Sequence, residues 1–313
     1  MKDDSLLRPV LEIGGTHVTA AKVRGPEGGW QVMPGSLVRR LLDARASADV
    51  LLDELAQAAR DLGDDHSGAW GVALPGPFDY HHGMARYADV GKFDQLRGVD
   101  VGAGLARRLG PAQRSMAFLN DADAFGIGEF VLGAAGSSRR AACITLGTGV
   151  GSCFMHGGVP VKTGNDVPPD GSCYLLQYRG RPLEDSISRR AIRRAYSSAS
   201  PDAGTPDVHE IAAAAREGDA TAAAVLEQAF SAVGEAVGPY LSRFGAEVLI
   251  IGGSMAGSWD IVEPAIRKGL ALAAPALATL PISRAQRSEE AGLIGAAYWA
   301  GTFTGSAVSV PRT

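Results

Sequence analysis

This sequence of 313 residues has few cysteines and few aromatic residues. It also has no excess of basic over acidic residues and no long apolar run. Three well-separated cysteines (Cys143, Cys153 and Cys173) are too few for a disulfide framework, which indicates a reducing compartment. No apolar run approaches the ~20 residues of a membrane-spanning helix. The N-terminus, MKDDSLLRPV, carries acids and lacks the apolar segment of a secretory signal. We therefore expect a cytoplasmic protein.

The charge balance also excludes some partners. Lysine and arginine number 30 against 34 acidic residues, for a net charge of −4, whereas a nucleic-acid-binding surface is normally basic. We expect a small-molecule substrate and no nucleic-acid or membrane partner. Hydrophobic residues make up 46% of the chain, enough for a sizeable core, and the length fits two domains. Predicted strands and helices alternate, which indicates an α/β fold.

Three glycine turns follow apolar strands, and a change in composition near residues 114–120 suggests a domain boundary between the first two. The turns are Glu12-Ile13-Gly14-Gly15-Thr16, Leu146-Gly147-Thr148-Gly149-Val150-Gly151 and Ile251-Gly252-Gly253-Ser254. Glycine readily adopts positive φ, which lets successive N–H groups point at one anion, and the two threonines add hydroxyl donors. A plain hairpin or strand-to-helix turn explains any one of them. Three together favour phosphate binding, although no G-x-x-x-x-G-K-[ST] motif of a P-loop enzyme is present.

The segment Asn120-Asp121-Ala122-Asp123 places an amide and two acids at the end of a predicted strand. Burial of such groups is costly unless they have a role. Asp121 is suited to take a proton from a hydroxyl nucleophile, as phosphoryl transfer requires, and Asn120 to hold that hydroxyl in line. The alternative is that these residues cap the following helix, which fits Asp121 or Asp123 individually.

Taken together, these motifs resemble the sugar-kinase branch of the actin-like ATPase fold, and specifically the ROK family (repressors, open reading frames, kinases), over nearly the whole chain. The resemblance implies an α/β fold of two actin-like (ribonuclease H-like) lobes around a central cleft. The N-terminal lobe would comprise residues 1–118 plus a C-terminal helix at about 298–313, and the C-terminal lobe residues 119–297. It also suggests a homodimer.

The resemblance further implies site roles, with ATP and Mg²⁺ as cofactors. Asp121 would be the catalytic base, and Asn120, Asp121, Asp79 and Glu184 would bind the substrate. A surface position just before a helix is an equally good interpretation of Glu184. The nucleotide would be bound by Glu12, Gly14, Gly15, Thr16, Gly147, Thr148, Gly149, Gly252, Gly253 and Ser254.

The sequence departs from the family pattern in two places. Glu12 stands where the family has Asp, which keeps the charge but adds one methylene. Between Lys162 and Glu184, Ser172 and Leu175 stand where the family has a Glu and a His, and the loop holds no cysteine pair. Because a structural zinc site needs about four N or S ligands, we predict no zinc site and three buried thiols. Losing two polar ligands should weaken the usual hexose recognition.

We therefore expect an ATP-dependent kinase that phosphorylates a hydroxyl of a sugar or sugar-like polyol, with glucose as one possible acceptor. A first alternative is a kinase for a cyclitol of the valiolone type. A second is a non-catalytic sugar sensor or ROK-type regulator. Family repressors add a DNA-binding helix-turn-helix ahead of the first motif, and here only eleven residues precede Glu12.

Overall fold

The computed structural model describes residues 7–25, 29–88, 90–110 and 115–302. The strands are β1 (Arg8–Ile13), β2 (His17–Arg24), β3 (Gln31–Val32), β4 (Val38–Leu41), β5 (Ala69–Leu74), β6 (Phe78–Asp79), β7 (Met84–Ala85), β8 (Ser115–Asn120), β9 (Arg140–Leu146), β10 (Val150–His156), β11 (Val159–Pro160), β12 (Gln177–Tyr178), β13 (Arg181–Pro182), β14 (Val248–Gly252) and β15 (Ile282–Arg284). The helices are α1 (Ala48–Asp61), α2 (Val101–Leu109), α3 (Asp121–Val131), α4 (Glu184–Ile187), α5 (Arg189–Ala199), α6 (Val208–Arg216), α7 (Ala220–Phe244), α8 (Trp259–Ala273) and α9 (Ala291–Thr302).

The chain forms two compact units. The first comprises Met1–Leu132 and Glu289–Thr313, and the second comprises Gly133–Ser288. The sequence instead suggested divisions after residues 118 and 297. The difference concerns α3 and the first half of α9, which pack on each other within the first unit. Of the expected C-terminal helix at about 298–313, residues 303–313 lie outside the described residues.

The first unit is built on a six-stranded sheet in the order β3-β2-β1-β5-β8, with β4 pairing β2. The predicted hairpin of β1 and β2 is confirmed, since Ile13 pairs with Val18 in antiparallel register. Strands β1, β5 and β8 run parallel. Their carboxyl ends therefore share one edge of the sheet, the usual place for ligand sites in open α/β sheets.

Helix α9 packs on this sheet and on α3, and it is buried on nearly every side. A helix that is apolar all round belongs in a core. Glycines let the backbones approach. A Cβ at Gly295 would lie 1.8 Å from the carbonyl oxygen of Ala124, and one at Gly128 would lie 1.9 Å from that of Ala291. The crossing of α3 and α9 thus depends on residues without a side chain.

The second unit contains a sheet in the order β11-β10-β9-β14-β15, in which β9, β14 and β15 run parallel. Its core is formed by one face of this sheet with helices α5 to α8. The long helix α7 packs most extensively on α8. As in the first unit, the parallel strands end at one edge, where two of the glycine turns follow β9 and β14.

Local sequence signals predicted several helix starts correctly. Ser47 caps α1, and its side chain accepts the N–H of Val50 at 3.4 Å. Asp207 and Glu210 form the expected capping box at α6, and Asp219 caps α7. Such caps satisfy backbone N–H groups that have no partner within the helix. Within the described part of the chain, no helix is both long and apolar enough to span a bilayer.

Candidate active site

The carboxyl edge of the sheet in the first unit brings together the acidic residues singled out in the sequence. Glu12 of β1 is in register with Ala73 of β5, and Asn120 of β8 is in register with Leu74. Asp121 follows directly as the first residue of α3. This edge therefore carries the carboxylate of Glu12 at the end of β1, and the amide of Asn120 and the carboxylate of Asp121 at the junction of β8 with α3.

The carboxyl group of Glu12 has a raised pKa. Burial, and secondly the negative charge of Asp121, raise it from 4.5 to about 7 against the opposing effect of Arg39. The side chain lies against the first turn of α9, where a Cβ at Gly292 would be 2.3 Å from its Oε1. Gly292 thus provides the space that the longer glutamate occupies.

Asn120 is the N-cap of α3, so the capping interpretation holds at this residue. Its Oδ1 accepts the N–H of Ala122 at 3.0 Å, and its Nδ2 donates to the hydroxyl of Tyr80 at 3.1 Å. The Tyr80 hydroxyl in turn donates to the carbonyl oxygen of Leu74 at 3.3 Å. Burial raises the pKa of Tyr80, so the phenol stays protonated. These bonds fix the amide next to Asp121, whose Oδ1 lies 2.9 Å from the same Ala122 nitrogen.

The first glycine turn closes the β1–β2 hairpin. The N–H of Gly14 donates to the carbonyl oxygen of His17 at 2.8 Å, and the hydroxyl of Thr16 lies 2.8 Å from the His17 ring. Gly14 and Thr16 are exposed. Neither Gly14 nor Gly15 has positive φ. The expectation of a left-handed backbone at this turn was therefore wrong. The Gly14–His17 hydrogen bond closes the hairpin without positive φ at either glycine.

Lys92 lies beside this turn, a position that the sequence did not reveal. Its Cδ is 3.8 Å from where a Cβ of Gly15 would be. Two bonds hold the loop that carries it: the Gly91 N–H donates to Asp94 Oδ2 at 3.0 Å, and the Phe93 N–H donates to the carbonyl oxygen of Ala44 at 2.7 Å. Phe93 is buried with φ of 60°, an uncommon conformation for a side chain of this size.

Asp79, expected on the substrate side, is engaged by neighbours in its own turn. Arg86 forms an ion pair with its Oδ2, and the ring Nδ1 of His82 lies 3.0 Å from its Oδ1. The Arg86 bond first, and the His82 bond second, hold the pKa of Asp79 well below its usual range. Asp79 is thus ionised, and both oxygens already have partners.

The second unit brings together the other two glycine turns. In parallel register, Gly252 of β14 lies opposite Thr145 of β9. Gly253 has φ of 83°, and a Cβ there would lie 2.4 Å from the carbonyl oxygen of Leu146. A Cβ at Gly147 would lie 3.6 Å from the hydroxyl oxygen of Ser254. The two turns are therefore adjacent, and among their glycines only Gly253 has the left-handed conformation.

Glu184 also belongs to this group, because its Oε1 accepts the N–H of Val150 at 2.9 Å. The same oxygen would lie 2.3 Å from a Cβ at Gly149. Glu184 begins α4 and is half-buried. It is therefore packed against the second glycine turn, which the interpretation as a surface acid did not anticipate.

The loop from Lys162 to Glu184, where the sequence departs from the family pattern, has both exposed and buried side chains. Tyr174 and Leu175 are exposed, and the Ser172 hydroxyl donates to the carbonyl oxygen of Asp170 at 3.2 Å. Cys173 is buried, as are the other two cysteines, so the prediction of buried thiols is confirmed. Among the described residues, no group of three or more His, Cys, Asp or Glu side chains is arranged to hold a metal ion.

The raised pKa of Glu12 leads to a prediction about stability. Between pH 4.5 and about 7 the folded protein keeps a proton on Glu12 that the unfolded chain has released, so the free energy of unfolding falls as pH rises through this window. At about 1.4 kcal/mol per pH unit, and allowing for partial exposure, we expect Glu12→Gln to be more stable than the wild type by roughly 2 kcal/mol at pH 8. Urea unfolding from pH 4.5 to 8, without nucleotide or divalent ions, measures this. A difference that does not change with pH would contradict the pKa assignment.

Together, the fold and these groups define a class of protein: two α/β units, one with an acidic sheet edge and a glycine turn, the other with two adjoining glycine turns. The model of the ROK family matches residues 11–302 of the chain. This match covers most of the sequence, so the chain belongs to the ROK family.

Individual relatives agree with this assignment. The glucokinase of Thermotoga maritima is 28% identical over 272 residues, 79% of this chain and 84% of that protein. An N-acetylmannosamine kinase of Haemophilus influenzae is 24% identical over 306 residues, 92% of this chain and 93% of that protein. The solved structure of a ROK family glucokinase from Streptomyces griseus, in complex with glucose and AMPPNP, matches with a TM-score of 0.70 and 24% identity, over 93% of this chain and 98% of that one. This likeness confirms the predicted α/β, actin-like fold.

Proposed function

We propose that the protein is a carbohydrate kinase, which transfers the γ-phosphoryl group of ATP to a hydroxyl of a sugar or a sugar-like polyol. The main support is the position of Asp121, at the head of α3 and next to the fixed amide of Asn120. Family membership supports the same reaction, since curated relatives are named glucokinase and N-acetylmannosamine kinase. The nucleotide is proposed to be ATP because a ROK glucokinase of the same fold was solved with AMPPNP.

In this proposal Asp121 acts as the general base. Its carboxylate takes the proton of the acceptor hydroxyl, the acceptor oxygen forms a bond to the γ-phosphorus, and the bond from that phosphorus to the bridging oxygen of ADP breaks. Asn120 orients the acceptor. Its Oδ1 is held by Ala122 and one Nδ2 hydrogen by Tyr80, which leaves the second Nδ2 hydrogen to donate.

The carboxylates at this edge also fit a divalent cation. Asp121 is close enough to raise the pKa of Glu12, and such repulsion between two carboxylates is relieved by a cation. Mg²⁺ commonly takes one or two carboxylates and fills its other positions with water and substrate phosphates. Glu12 would hold Mg²⁺, directly or through water. When bound, the ion neutralises charge on the phosphates.

The glycine turns supply backbone groups for the nucleotide. In the first unit, exposed Gly14 and Thr16 present the β1–β2 turn. In the second unit, Gly147, Thr148 and Gly149 would bind phosphate, and Gly252, Gly253 and Ser254 would line the adenosine. Thr148 and Ser254 are exposed, so their hydroxyl groups are accessible.

Lys92 is proposed to supply the positive charge that these turns lack. Replacing it with Met keeps the aliphatic stem against Gly15 but removes the ammonium group, and we expect about a tenfold lower kcat/KM for ATP, since hydrogen bonds to charged groups contribute ~1.5–3 kcal/mol. Steady-state kinetics at fixed acceptor concentration measure this. Arg97→Met is the matched control, because Arg97 is an exposed cation nearby in the sequence. Equal effects of the two variants would remove Lys92 from this role.

A screen for ADP release tests the proposed function. Glucose, N-acetylmannosamine and a panel of other sugars and polyols are supplied with ATP and Mg²⁺, and products are identified by mass spectrometry. We expect ADP and a singly phosphorylated acceptor in equal amounts for at least one compound. If no compound supports ADP release while sugars still bind, the protein is a sensor and the proposal is wrong.

A further inference from the structure

Glu184 and the start of α5 hold the second glycine turn from both ends. Glu184 Oε1 accepts the N–H of Val150 at 2.9 Å, just after the turn. The N–H of Arg189 donates to the carbonyl oxygen of Gly147 at 3.0 Å, at the beginning of the turn. Within the turn, the Gly147 N–H donates to the carbonyl oxygen of Gly149 at 3.1 Å. The position of Gly147–Gly149 is thus tied to the corner between α4 and α5.

This corner is anchored in the core of the second unit. Leu183 and Ile187, on either side of Glu184, are almost fully buried. The N–H of Leu183 donates to the carbonyl oxygen of Leu176 at 2.8 Å, and Ser188 caps α5. Because the residues on either side of it are packed in the core, the Glu184 carboxylate is held in one place. It can therefore fix the position of the turn to which it is hydrogen-bonded.

The absence of a side chain at Gly149 belongs to the same arrangement. A Cβ there would lie 2.3 Å from Glu184 Oε1, so a side chain at this position would displace the carboxylate from its place at the Val150 N–H. Glu184 Oε2 has no hydrogen bond among the described residues and stays available to a ligand.

We propose that Glu184 is a positioning residue of the phosphate turn: one carboxylate oxygen fixes Gly147–Gly149 in the conformation that binds nucleotide. This inference rests on the proposed function.

Three variants separate this role from acceptor binding alone. Glu184→Gln keeps an oxygen that accepts the Val150 N–H, whereas Glu184→Ala removes it. Asp185→Ala is the matched control, an acid in the same helix with an ion pair to Arg190 at 4.0 Å. Binding of a fluorescent ATP analogue is measured without acceptor, so the result does not depend on turnover.

We expect Glu184→Ala to weaken analogue binding about tenfold, with Glu184→Gln and Asp185→Ala within about twofold of the wild type. Amide hydrogen exchange over residues 146–151 should be faster in the Ala variant only, a readout that holds even if the wild type binds no analogue. Unchanged exchange, or unchanged analogue binding by Glu184→Ala when the wild type binds, would overturn the proposal. Failure of the proposed function is distinguishable, since it appears as lack of phosphorylated product from the wild type.

Discussion

Replacing Asp121 with Asn is expected to lower kcat by about 10²–10⁴, the contribution usual for a general base. The change keeps the size of the side chain but removes the group that accepts the proton of the acceptor hydroxyl. Asparagine is also a good residue at the start of a helix, so α3 should still form. Because substrate contacts change little, the KM for the acceptor should move much less than kcat. Steady-state kinetics with the acceptor found by the screen measure both constants.

The control for this experiment is Asp202→Asn, an exposed acid in the second unit that has no role in the proposed site. It should leave kcat unchanged. A kcat for Asp121→Asn within about threefold of the wild type would exclude Asp121 as the base.

A second large effect is expected at the crossing of α3 and α9. In Gly295→Ala the new Cβ would lie 1.8 Å from the carbonyl oxygen of Ala124 and 2.9 Å from the nitrogen of Gly128. These are backbone atoms, so the two helices must move apart instead of one side chain rotating. Overpacking usually costs ~1–3 kcal/mol, and we expect at least the upper end of this range. Thermal unfolding should shift downward by about 5–10 °C.

The matched control for the helix crossing is Gly257→Ala. Nothing lies within 4 Å of its Cβ position, and its φ is not positive. Alanine there should leave the unfolding temperature unchanged or raise it slightly. If Gly295→Ala were as stable as this control, the close approach of α3 and α9 would not be a property of the protein in solution.

The sequence predicted the parts of the structure that depend on neighbours in the chain. The β1–β2 hairpin needs only two apolar runs around Gly14-Gly15, and the caps of α1, α6 and α7 need one residue each in front of an amphipathic run. The site residues were chosen from strand ends, and the parallel register of β1, β5 and β8 explains why such residues meet at one edge.

Contacts between residues far apart in the chain could not be predicted. The space for Glu12 is provided by Gly292, the stem of Lys92 lies against Gly15, and Asn120 donates to Tyr80. None of these pairs follows from spacing or periodicity, since each is set by how strands and helices pack.

The glycine turns show a related limit of sequence reasoning. Phosphate binding was argued from positive φ, yet among the glycines of the three turns only Gly253 has it. At Gly149 the absence of a side chain leaves space for the Glu184 carboxylate, whose Oε1 lies 2.3 Å from the position of a Cβ. A sequence indicates that a glycine is present, but only the packed structure shows which property of glycine is used.

The most direct test of the account is a crystal structure of the protein with a non-hydrolysable ATP analogue, Mg²⁺ and the acceptor that the screen identifies. We predict an acceptor hydroxyl oxygen within about 3.2 Å of an Asp121 carboxylate oxygen, the distance that proton abstraction requires. An acceptor bound with no hydroxyl group near Asp121, while another base contacts the hydroxyl that is phosphorylated, would contradict the account.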